Sequence, residues 1–183
     1  MQKILVVVDM QNDFIDGALG TGQAQAIVAG VVKKIESYQG ELIFATRDTH
    51  GENYMDTSEG RHLPVPHCIR GTKGWDLREE IAEALNKAGA RIIDKPTFGS
   101  ETLAETLSEL AAGKEEEQEI ELVGLCTDIC VVSNALLLKA KMPEALIRVD
   151  ASCTAGVTPE SHEAALLTMK MCQIDVIGQT YNQ

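Results

Sequence analysis

Positive charge is scarce in this chain. Its 183 residues carry 16 Lys and Arg against 28 Asp and Glu, a net charge of −12. That balance excludes a basic nucleic-acid groove and attraction to an anionic membrane surface. Long apolar runs are also missing. No stretch approaches the roughly 20 residues that span a bilayer as a helix. Met1-Gln2-Lys3 leads straight into a strand-like run, without the h-region or cleavage site of a secretory leader. Paired cysteines are lacking too: five is an odd number, and their spacing outlines no disulfide framework. Cys126 and Cys130 are four apart rather than a C-x-x-C pair, and no second pair completes a zinc ribbon. The expectation is a reducing cytoplasm, one domain over residues 1–183, and no nucleic-acid or membrane partner.

What is present is an alternation of strand and helix. Ile4 to Val8 is a continuous apolar run, as in a strand covered on both faces. Further strands are expected at Leu42–Thr46, Arg91–Asp94, Ile120–Val123, Ala145–Val149 and Asp175–Ile177. Gln23 to Tyr38 has the helical period, with Ala26, Ile27, Val31 and Ile35 on one face. A second helix should run from an Asp76 cap to Lys87, with Gly89 just past its end. A third should start at a Ser100 cap, with Leu103, Leu107 and Leu110 inward. Two more should follow, one from the turn at Gly124–Cys130 to Lys141 and one over Ser161–Met171. This order predicts an α/β fold: three α/β/α layers around a doubly wound, mainly parallel, six-stranded sheet. From His50 to Gly74 no periodicity appears, and so long a structureless segment in a compact domain is usually functional.

Three reactive residues fall at the carboxyl ends of expected strands: Asp9 after the first, Lys95 after the third and Cys130 after the fourth. In open α/β sheets those ends meet in one crevice. Each also has an ordinary use, as a turn carboxylate, a solvated amine and a core thiol. Cys130 should lie in the first turn of a helix. There, unpaired N–H groups and the dipole favour a thiolate and could hold an oxyanion. Asp48 and His50 are two apart on an extended segment, so both side chains can point one way. With Glu59 and His67 in the loop beyond, they offer donors suited to a divalent metal such as zinc, although loop histidines are often only surface residues.

Three motifs in this order resemble the isochorismatase-like cysteine hydrolases, most closely their nicotinamidase branch. They are the strand ending in Asp9 with Gln11, Asp13 and Phe14 behind it, the turn Lys95-Pro96-Thr97-Phe98, and Gly124-Leu125-Cys126-Thr127-Asp128-Ile129-Cys130-Val131. The resemblance covers essentially the whole chain. It implies a catalytic triad of Asp9, Lys95 and Cys130, an oxyanion hole from the backbone of Cys126 and Cys130, and a cis Leu125–Cys126 peptide. It also implies metal ligands Asp48, His50, Glu59 and His67, with Zn2+ the first choice and Mn2+ or Fe2+ as alternatives. Phe14 and Leu125 would contact the substrate, a small amide, in a homo-oligomer. The activity implied is hydrolysis of nicotinamide. Two other readings stay open: a relative acting on a different amide or carbamoyl compound, and a binding protein on this fold without catalysis. His62 and His162 are expected to be a surface residue and a structural one. Where many nicotinamidases place an aromatic residue before the third metal ligand, this chain has Leu63-Pro64-Val65-Pro66.

Overall fold

The structure is a computed structural model that describes residues 1–179. Six strands form one sheet: β1 (Gln2–Val8), β2 (Leu42–Asp48), β3 (Arg91–Lys95), β4 (Gln118–Leu125), β5 (Leu146–Ala155) and β6 (Asp175–Ile177). Their spatial order is β3-β2-β1-β4-β5-β6, and every neighbouring pair is parallel. The expected fold class is therefore the observed one, with no antiparallel strand among those described. The order reverses between β1 and β4, which makes that boundary the topological switch point where such sheets bind ligands.

Alternation along the strands sorts the core into two layers. Ile4, Val6, Val8, Phe44, Ile120 and Leu122 face one side. The helices α5 (Glu101–Ala111), α6 (Val132–Lys141) and α7 (Pro159–Met171) cover that side, supplying Leu103, Ala135 and Leu166 among others. Leu5, Val7, Ile43, Ala45, Val123 and Leu125 face the other, against α1 (Asn12–Ile15), α2 (Gly22–Ser37) and α4 (Glu79–Ala88). The remaining helix, α3 (Ser58–His62), lies in the long loop after β2.

Some local expectations need correction. Asp76 does not cap α4, whose first residue is Glu79. The carbonyl of Asp76 accepts Asn12 N–H and Leu77 bridges Gln11, so the chain stays extended there. Ala24, not Ala26, joins Ile27, Val31 and Ile35 on the inner face of α2; position 26 is about 200° around the helix from position 24. Leu110 is exposed, because the buried stripe of α5 centres on Ala104, Leu107 and Ala111 and leaves Leu110 at its margin. The strand β4 is twice the expected length and buries Glu119 and Glu121, which a hydropathy pattern rejects. Lys34 of α2 offsets the second of these: its ammonium lies 2.5 Å from Glu121 and 2.7 Å from Asp150, and Tyr38 donates to Glu121 at 2.9 Å.

Candidate active site

Asp9 follows β1 directly, in a left-handed backbone conformation with φ +47°. It is fully buried. One carboxylate oxygen accepts the Thr46 hydroxyl at 2.7 Å, and the other lies 2.6 Å from the Lys95 ammonium. Lys95 ends β3 and is 1% exposed. Its Nζ is also 3.4 Å from Cys130 Sγ, 3.4 Å from Asp48 Oδ1 and 3.1 Å from the Thr97 carbonyl. The amine therefore joins a carboxylate, a thiol and a second carboxylate, all buried. The three residues that are 35 or more positions apart in sequence meet because their strands are neighbours or near neighbours in the parallel sheet.

Gly124 makes the close approach possible. It sits at φ +113°, and a Cβ there would collide with the Val8 backbone on β1. The next peptide but one, Leu125–Cys126, is cis. The chain then enters a single π-helical turn, Thr127–Val131, before α6, so Cys130 does not begin a regular helix as expected. π-turns of this kind recur at functional sites. The turn is clamped by α7 and the residues just before it: Asp128 accepts Val157 N–H and the Ser161 hydroxyl, and His162 Nδ1 lies 2.8 Å from Thr127 Oγ1.

Burial and charge pull against each other in this cluster. Burial pushes the Cys130 thiol well above its ordinary value, and Asp9 adds to this, while Lys95 opposes it. Burial thus works against the easier ionisation that a helix-start position suggested. Cys126 is pushed up to about 12, again mainly by burial. Burial also raises Asp9, with Lys95 pulling it back. Burial alone would lower Lys95, but Asp9, Cys130 and Asp48 together hold it above its usual range. Among the three, the buried acid is the group suited to take the thiol proton.

Beside this cluster, Asp48, His50, Glu59 and His67 turn one donor atom each toward a common point, all within 4.8 Å of one another. Asp48 Oδ2 is 2.9 Å from His50 Nε2 and 3.6 Å from His67 Nε2, and Glu59 Oε1 is 3.6 and 3.5 Å from the same two nitrogens. Tetrahedral zinc with bonds of about 2.0–2.1 Å places its ligands roughly 3.3 Å apart, so the group fits such an ion. His67 Nδ1 bonds the Val65 carbonyl at 2.8 Å, which leaves Nε2 facing the group. Burial would lower His67, yet Asp48 and Glu59 raise it to about 10, a field that favours a cation. Asp48 is held below the carboxylate range despite its burial, by both histidines and Lys95.

The long loop is not structureless. Tyr54 and α3 bring Glu59 inward, and the Tyr54 ring stands edge-on to His50 and His67 at 4.8 and 5.1 Å. Asp13 accepts Cys68 N–H at 2.8 Å, and the Gln11 amide bonds Asp48 on both its N–H and carbonyl as well as the Trp75 carbonyl. Arg47 stacks over Trp75 at 3.8 Å. Thr46, Tyr54 and Trp75 were missed as site residues. Tyr54, a lone aromatic in an aperiodic segment, was the one available signal.

A cavity of about 630 Å3 opens over both groups. Asp48, His50, Glu59, His67, Cys126 and Cys130 line it, with Phe14 and Phe98 among the apolar walls. The Phe14 ring lies 5.5 Å from the His67 ring. Leu125 is fully buried in the core and is not on the wall. His62 does reach the wall, although its Nδ1–H is given to the Ser58 carbonyl.

A buried acid–amine–thiol cluster at the switch point of a parallel sheet is what a cysteine hydrolase of the α/β class requires. The chain belongs to the isochorismatase family, whose domain matches residues 3–180. It is similar to the nicotinamidase/pyrazinamidase of Mycobacterium tuberculosis, 28% identical over 191 residues, 96% of this chain and 98% of that one. The solved pyrazinamidase/nicotinamidase of Streptococcus mutans superposes with a TM-score of 0.83 at 27% identity, over 96% and 100% of the two chains. The pyrazinamidase of Pyrococcus horikoshii, solved in complex with zinc, gives 0.76 at 29% identity over 98% and 100%. Among the described residues no helix is long and apolar enough to cross a membrane.

Proposed function

We propose that this protein is a metal-dependent cysteine amidohydrolase that converts nicotinamide to nicotinate and ammonia. The observation that carries the reading is the Lys95 ammonium, which holds Asp9 and Cys130 together and also touches Asp48 of the four-donor group. Chemistry and substrate anchoring would thus share one buried amine.

Asp9 accepts the Cys130 proton as the sulfur attacks the carboxamide carbon. The backbone N–H groups of Cys126 and Cys130 receive the oxyanion. Collapse expels ammonia, which leaves with the proton held on Asp9, and a thioester remains. Asp9 then deprotonates a water that attacks the thioester, and nicotinate is released with the thiol restored. Lys95 keeps Asp9 aligned and favours the developing thiolate. Phe14 packs on the ring.

Asp48, His50, Glu59 and His67 would hold a divalent ion, zinc first among the candidates. When bound, such an ion offers the ring nitrogen an electrophilic anchor, which orients the carboxamide. The setting is cytoplasmic NAD salvage by a homo-oligomer, with pyrazinamide an accidental substrate.

The test is ammonia and nicotinate release from nicotinamide by zinc-loaded protein, with Cys130→Ala losing turnover but keeping ligand affinity. No turnover by the loaded protein would remove nicotinamide as the substrate. The cavity volume favours one second reading, a bulkier amide, since a single-ring amide fills only part of 630 Å3. A panel of amides and carbamoyl compounds separates the two.

A further inference from the structure

Asn134 lies in the first turn of α6 and is 1% exposed. Its side-chain NH2 donates to the Cys130 carbonyl at 2.8 Å and to the Phe98 carbonyl at 3.1 Å. Its Oδ1 accepts Ser100 N–H at 2.9 Å. A bond back to the carbonyl four residues earlier is ordinary for a short polar side chain in a helix. The other two bonds are not, because they reach a different segment, the turn at 96–100 that leaves β3 after Lys95. That turn presents the Thr97 carbonyl to the Lys95 ammonium, and Thr97 closes it with a hydroxyl bond to the Gly99 carbonyl at 2.7 Å. Gly99 allows the turn to lie against α6, since a Cβ there would come within 3.3 Å of the Ser133 carbonyl.

We propose that Asn134 is a positioning residue that sets the register between the turn carrying Cys130 and the turn holding Lys95. It touches neither substrate nor reacting atoms. It fixes the carbonyl of the nucleophile's own residue and, through Phe98 and Ser100, the segment that aims the amine at the sulfur. The 3.4 Å separation of Lys95 Nζ and Cys130 Sγ depends on this bridge. The same bridge fixes Phe98, an exposed wall of the cavity. The proposal rests on the assignment of Cys130 as nucleophile.

Asn134→Ser tests it. A serine hydroxyl still reaches the Cys130 carbonyl but falls short of Phe98 and Ser100. If that variant does not fold, Asn134→Asp is read in its place: it keeps the acceptor for Ser100 N–H and loses both amide donors. Ile35→Ala, a core truncation in α2, serves as the stability control. Two rates are measured on metal-loaded protein, nicotinamide turnover and alkylation of Cys130 by iodoacetamide followed by mass spectrometry. Misalignment of this size lowers kcat by about 10- to 100-fold. KM should stay within about threefold of wild type, and alkylation should slow with kcat, whereas Ile35→Ala lowers Tm and moves neither rate. The proposal is overturned if the Asn134 variant keeps both rates, or if Ile35→Ala at equal loss of Tm reproduces the change. Should wild-type protein leave nicotinamide untouched, the substrate assignment fails, and the alkylation rates still decide the role of Asn134.

Discussion

Replacing Lys95 by Met removes one charge from the centre of the site while keeping most of the side-chain volume. The ammonium lies 3.4 Å from Cys130 Sγ. At an effective dielectric of about 20, a unit charge at that distance favours the thiolate by about 5 kcal/mol, or roughly 3.5 pKa units. The variant should therefore react with iodoacetamide about a thousandfold more slowly at neutral pH. Loss of the Asp9 charge, which opposes the thiolate, offsets part of this slowing and has its own effect on turnover. Asp9 is already raised by burial, and without the amine 2.6 Å away it takes up a proton and ceases to act as base. Amide turnover should fall below detection. Folding must then bind a proton that the unfolded Asp9 lacks at pH 7, which destabilises by about 3–5 kcal/mol, or roughly 6–20 °C in Tm for a chain of this size. The double variant Lys95→Met, Asp9→Asn separates the two effects. It should recover most of the lost Tm and none of the reactivity. Alkylation within tenfold of wild type in the single variant would refute the electrostatic role given to Lys95.

Further perturbations report on other parts of the molecule. Asp150 is stabilised in its charged form, because Lys34 and Ser152 outweigh the penalty of burial, so its folded pKa lies below the ordinary 3.8. Its contribution is present above that value and is lost as pH falls through the lower folded one. Asp150→Asn should therefore cost about 1–3 kcal/mol in urea melts at pH 7, and the gap should close as pH falls through the lowered folded value. His67→Ala should abolish retention of zinc after dialysis, measured by elemental analysis. It should also remove the Tm increase expected of the wild type in excess zinc, about 2.7 kcal/mol of stabilisation at a hundredfold excess over Kd. Gly124→Ala should destabilise by more than about 3 kcal/mol, since both the positive φ and the Val8 backbone oppose a Cβ. A melt within 1 °C of wild type would contradict the close β1–β4 approach.

Much of the scaffold was legible because strand interiors here are unmixed apolar runs, as at Ile4–Val8, and helices are punctuated by caps and glycines, as at Ser100 and Gly89. The errors arose where tertiary contacts set local structure. Glu119 fell just before the expected fourth strand and Glu121 inside it, with nothing in the local pattern to show that Arg148 and Lys34 pair with them inside the fold. The loop before Gly74 shows no period because its order comes from single long-range bonds, such as Asp13 to Cys68 and Gln11 to Asp48, rather than from a repeating face.

The residue types by themselves determined the fold class, the strand ends on which reactive groups would fall, and the donors available for a metal. These depend on local hydrophobic period and on chemistry that each side chain carries unaided. Only the tertiary structure decided that one amine would reach Asp9, Cys130 and Asp48 at once, that burial would push the thiol upward, and that Asn134 would tie two distant turns together. Each of those is a property of burial and of distances between segments far apart in the chain, and no window along the sequence contains them.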